Sequence, residues 1–137
     1  MGTVIRAEIS KSNKWWIDKH RYYELKHYCL QYNRWKKLIN DVDGYSKQPE
    51  LGLIFSNNTG DPTVRAAQAR EYYRKHMGIV EKAAAETDPV IGPIIFQGVT
   101  DGVSYEILKS RIEIPCCKDT YYELYRKFYY ILSQLRG

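Results

Sequence analysis

The sequence predicts an all-α fold, and three observations carry that prediction. Apolar residues recur at steps of three and four along each periodic segment, no run alternates over strand length, and Gly or Pro punctuation divides the chain into pieces of helical length. The chain has 137 residues, 44% hydrophobic and 27% charged, which suffices for one hydrophobic core. No run approaches the roughly 20 consecutive apolar residues of a membrane span. Met1 to Lys14 lacks the apolar core of a signal peptide, and Gly2 is followed by Arg6 where a myristoylation site needs Ser or Thr. The expectation is a cytoplasmic protein without a membrane anchor.

The first predicted helical stretch lies within Lys14 to Val42. Leu25, Tyr28, Tyr32, Trp35, Ile39 and Val42 fall on one face, with an interruption expected near Asn33. The opposite face carries Lys19, Arg21, Lys26, Arg34, Lys36 and Lys37, a solvated surface in the ordinary case and a DNA contact in the alternative. Trp15, Trp16, Tyr22, Tyr23 and the aromatic members of the stripe suit helix packing, with base stacking as the alternative. Asp43 to Gly60 loses periodicity and reads as a loop over 43–60. Asp61 then offers an N-cap and Pro62 a first helical position for a second long helix ending near Thr87. Its expected apolar line is Ala69, Tyr72, His76, Ile79, Val80 and Ala83, with His76 a half-buried packing residue.

Asp88 and Pro89 repeat the cap signal ahead of VIGPIIFQGV, where Pro93 is tolerated because the first turn does not yet need its N–H. GVTDG, from Gly98 to Gly102, reads as a turn. Ser104 caps a short helix, YEILKSRI, with Val103 and Leu108 as its hydrophobic staple. Glu113, Ile114 and Pro115 end it, since a residue before proline is pushed out of the helical region. The last segment places Tyr121, Leu124, Phe128, Ile131 and Leu135 on one stripe, widened by Leu132. Lys118, Tyr122, Arg126, Lys127 and Gln134 are expected to face away from it.

A helix, a short capped helix, a turn and a longer basic helix form the order of a helix-turn-helix, which divides the chain into a packing and dimerisation module at 1–87 and a DNA-binding module at 88–137. The first residues of such a final helix face base edges: Lys118, Asp119, Thr120, Tyr122 and Glu123. Arg126 and Lys127 follow a turn later, within reach of phosphates. The alternative for all seven is an ordinary solvated face on a helical bundle. A net charge of +5 and a pI near 9.0 permit nucleic-acid binding. The positive excess lies before Asp43 and after Val103, while the middle is slightly acidic.

The stretch TDPVIGPIIFQGVTDGVSYEILKSRIEIPCCKDTYYELYRKFYYILSQLR resembles small Gram-positive phage and prophage proteins of the RinA and ArpU type, which are late-gene transcriptional regulators. Their C-terminal part is similar to the helix-turn-helix of sigma-factor region four. The segments YYELKHYCLQYNRWKKLINDVDGY and DPTVRAAQAREYYRKHMGIVEKAAAETDP look like the rest of that group. The chain departs from it in having IPCC before the last helix. The resemblance implies sequence-specific binding to double-stranded DNA, with host RNA polymerase a candidate partner and a homo-oligomer reading paired half-sites. A phage DNA-packaging component of the small-terminase kind is an alternative, and a helical interaction protein that does not bind DNA is another.

Enzyme signatures are missing: the chain has no phosphate-binding glycine loop, G-x-S-x-G or H-E-x-x-H, so no catalytic residue and no cofactor is expected. Asp41 with Asp43 and Asp101 near Glu106 sit at helix boundaries, where capping explains the acids. Cys29, Cys116 and Cys117 are an odd set that fits a reducing compartment, and with His20, His27 and His76 they complete no zinc spacing. Cys117, before Lys118 at a helix start, is the best-placed nucleophile, but no His or Asn stands by to assist it, so it reads as a packed or capping thiol.

Overall fold

Among the described residues, capping side chains open two of the helices, at Asp18 and at Ser104. The computed structural model describes residues 13–43 and 62–137, among which there are six α-helices and no strand. They are α1 (Lys19–Leu30), α2 (Tyr32–Asp43), α3 (Pro62–Thr87), α4 (Gly92–Asp101), α5 (Tyr105–Arg111) and α6 (Lys118–Arg136). No helix among the described residues is long and apolar enough to cross a membrane. The expected Asp61 cap and the body of the expected 43–60 loop lie outside the described residues.

Asp18 starts α1 by accepting the His20 N–H at 2.9 Å, satisfying a donor that has no partner inside the helix. The interruption between α1 and α2 falls at Gln31, two residues before the position expected. Leu25, Tyr28, Tyr32, Trp35 and Ile39 are buried as the stripe requires, joined by Tyr22, Cys29 and Leu38. In α3 the buried line runs through Ala69, Tyr73, Val80, Ala84 and Thr87. Tyr72 was expected on that line but is 49% exposed; it lies about 100° around the helix from Tyr73. His76 is half-buried, as expected.

The α3–α4 junction departs from the expected start. Asp88 does cap the chain, its carboxylate accepting the Val90 and Ile91 N–H groups at 2.9 and 2.7 Å, but this closes a single turn and α4 itself begins at Gly92. Pro93 sits in the first turn of α4. The GVTDG stretch is mostly helical, so the turn contracts to Gly102 and Val103, whose N–H groups both donate to the Gly98 carbonyl. Gly102 has φ +70°, a left-handed conformation that glycine adopts without steric cost. Ser104 Oγ then accepts the Ile107 N–H at 3.3 Å and opens α5.

One hydrophobic cluster draws on α1 to α6, from Ile17 to Leu132. α3 packs against α2, α4 and α6, while α6 also meets α1 and α4. The aromatic and apolar faces of α1 to α3 are therefore largely covered within a single chain, and their burial does not require a second copy.

Candidate nucleic-acid interface

The final helix decides which side chains α5 and α6 can offer to a ligand. Because α6 has neighbours on several sides, its buried arc is rotated from the stripe read in the sequence: Tyr121, Tyr122, Phe128, Tyr129 and Leu132 are buried, while Leu124, Ile131 and Leu135 are only partly so. Tyr122 was expected to face outward, and this is corrected by its 7% exposure. Its hydroxyl accepts the N–H of Tyr105, the first residue of α5, at 3.1 Å.

Tyr105 is the pin between the two helices. Its ring lies 5.3 Å from that of Tyr121, and its hydroxyl donates to the Cys116 carbonyl at 2.9 Å. Gly98 in α4 completes the junction, since a Cβ there would stand 2.6 Å from Tyr121 Oη and 3.0 Å from a Leu108 methyl. The short α5 is thereby held across the start of α6, with residues 112–117 bridging them.

Lys118, Asp119 and Thr120, the first turn of α6, are exposed. Lys118 Nζ sits 2.5 Å from a Glu106 oxygen, and this contact raises the ammonium pKa and lowers that of the carboxyl. Thr120 Oγ1 lies 3.3 Å from Cys117 Sγ, and that hydrogen bond holds the exposed thiol below its ordinary pKa. Glu123 is half-exposed and pairs with Arg126 at 3.2 Å. Arg126 was expected to reach outward; instead its Nη1 also donates to the Tyr122 carbonyl at 3.3 Å, and its side chain is only 19% exposed. Lys127 Nζ rests 5.5 Å over the Trp15 ring, a cation–π contact that ties it to the segment before α1.

Two grooves collect polar side chains that the seven expected positions omit. One, of about 530 Å³, is lined by Lys109, Ser110, Arg111, Ile112, Glu113 and Ile114 at the end of α5. The other, of about 410 Å³, lies between α2 and α3 and is lined by Lys36, Ile39, Asn40, Arg74, Met77 and Glu81. Glu81 is engaged by the Tyr32 hydroxyl, whose pKa is pushed up to about 12 by burial first and by this carboxylate second. The basic residues of α2 are legible in the sequence as a face, whereas their conjunction with Arg74 needs the α2–α3 packing. Among the described residues no group of three His, Cys, Asp or Glu side chains is placed to hold a metal ion. No protein-family model, curated protein or solved structure matches the chain.

Proposed function

We propose that the chain is a sequence-specific DNA-binding regulator whose reading head is the first turn of α6. One observation carries the reading: Lys118, Asp119 and Thr120 form an exposed turn on a helix whose middle is packed, and a Ser104-capped α5 is pinned against the start of that helix through Tyr105. Ammonium, carboxylate and hydroxyl groups there can accept from or donate to base edges. Tyr122 and Arg126 leave the set of ligand contacts, because both are committed within the chain. The likeness of the last fifty or so residues to phage late-gene regulators extends the proposal to transcriptional control, with host RNA polymerase as a partner. A second reading, a helical interaction protein, is favoured by the pairing of Lys118, Arg111 and Arg126 with Glu106, Asp101 and Glu123.

Selection of bound sequences from a random duplex pool tests the proposal. A preferred site should emerge, and Thr120→Ala should weaken binding to it by about 5- to 150-fold, in line with ~1–3 kcal/mol per lost base contact, while sparing other sequences. An unenriched pool together with salt-insensitive binding selects the interaction-protein reading.

A further inference from the structure

Three of the six cations of α5 and α6 are paired with acids of the same chain, while Lys36 and Lys37 of α2 meet no acid among the described residues. Arg111, Lys118 and Arg126 each lie within 4 Å of a carboxylate. No carboxylate among the described residues stands at that distance from Lys36, Lys37 or Arg74. Asn33, Lys36, Lys37 and Asn40 follow the i, i+3, i+4, i+7 spacing that puts side chains on one helical face, and all four are exposed. The row is made only of amide and ammonium groups. Arg74 borders it across the α2–α3 groove, and Glu81, the acid in that groove, is already held by Tyr32.

The row also connects to the end of α5. Asn33 Nδ2 donates to Asp101 Oδ1 at 3.2 Å, and Asp101 in turn pairs with Arg111 at 3.9 Å. The start of the α2 row therefore adjoins the end of α5, where Lys109 and Arg111 line the second groove. From Asn33 to Asn40 the helix rises about 10 Å, the axial span of about three phosphates on one DNA strand.

We propose that the Asn33–Asn40 face of α2, with Arg74 beside it, is a track for the phosphate backbone of duplex DNA. Ammonium, guanidinium and amide N–H groups that donate to phosphate oxygens position a duplex without reading its sequence. The track borrows its ligand class from the DNA-binding reading, but it does not depend on which residues of α6 meet bases.

The test is fluorescence anisotropy of the full chain with a random-sequence duplex of about 24 base pairs at about 50 and 200 mM salt. In the variant Lys36→Gln/Lys37→Gln, two lost phosphate contacts should make the log–log salt slope shallower by about two units. Between those salt concentrations the wild type should then lose about tenfold more affinity than the variant. Arg74→Gln should flatten the slope by about one unit. Helical circular dichroism equal to that of wild type confirms that these surface changes leave the fold intact. An unchanged slope in both variants overturns the track, whatever Thr120→Ala does to sequence preference. A flattened slope with no effect of Thr120→Ala upholds the track and removes the reading head from α6. Wild-type chain that ignores the duplex but binds vesicles rich in phosphatidylserine overturns the track in favour of a membrane surface.

Discussion

Replacing Gly92 by Ala should destabilise this protein more than its small size change implies. Gly92 opens α4 directly beneath the end of α3, and a Cβ there would lie 2.3 Å from the Ala84 carbonyl oxygen and 3.3 Å from its carbon. A carbon and a carbonyl oxygen ordinarily approach to about 3.3 Å at closest, so the two helices must separate by about 1 Å. The obstacle is backbone, which cannot rotate away as a side chain could. A radial gap of that size forfeits roughly a quarter to a half of each dispersion contact. The contacts at risk include those of Val80, Ala84, Ile91 and Ile95, all buried. Overpacking of this kind costs about 1–3 kcal/mol, and the rigid obstacle puts the expected loss at about 2–3. Helix propensity offsets little at a first helical position. For a chain of this length each kcal/mol moves Tm by about 3–5 °C, so Tm should fall by about 6–15 °C. Gly78 is the internal control: it lies within α3 with nothing inside 4 Å of its missing Cβ, so Gly78→Ala should gain about 0.5–1 kcal/mol. Thermal unfolding followed by circular dichroism, with urea midpoints at constant m, measures both. A Gly92→Ala Tm within about 1 °C of wild type, or two shifts of the same sign, would refute the close-approach argument.

Four further expectations follow from the same contacts. Tyr122→Phe removes the acceptor of the Tyr105 N–H and should cost about 1–3 kcal/mol in urea unfolding. Tyr121→Phe should be neutral or stabilising, because its buried hydroxyl has no hydrogen-bond partner among the described residues. Burial, followed by the nearby Arg136 and Lys75 charges, depresses the His76 pKa, so the folded state favours the neutral ring that meets the Tyr28 hydroxyl at 2.8 Å. The resulting stability is present above the unfolded value of 6.5 and lost as pH falls below it; urea midpoints at pH values on either side should show this drop, and His76→Gln should reduce it. Iodoacetamide should label Cys117 before Cys29 in the native chain, since Cys117 is exposed with a lowered pKa and Cys29 is buried with its thiol pushed up. Mass spectrometry of the alkylated peptides reads the order, and equal rates would contradict the burial of Cys29.

The local signals in the chain were legible because each rests on a few neighbouring residues. Ser104 capping α5, Pro93 in a first turn, the end of α3 at Thr87 and the α1–α2 stripe need only nearest-neighbour hydrogen bonds and a period. The exposure of Lys118, Asp119 and Thr120 was legible for the same reason, since the start of a helix beyond a proline turn has little around it. Arg126 was not legible as an internally bonded side chain, because a cation at a given step around a helix looks the same whether or not its own helix and Glu123 claim it.

The amino-acid sequence alone determined that the chain would be helical and roughly where its helices would begin and end, since caps, proline and a three-to-four step are local chemistry. Tertiary structure decided which face each helix buries. A period locates an apolar stripe but not the number of helices packed around it. With α1, α3 and α4 all against α6, the covered arc extends past the aliphatic stripe to take in Tyr122 and Tyr129. In α3 the same cause brings Tyr73 inward and leaves Tyr72 out. The meeting of the α2 row with Arg74, and through Asp101 with Arg111, likewise arises only from packing, because those partners lie on other helices.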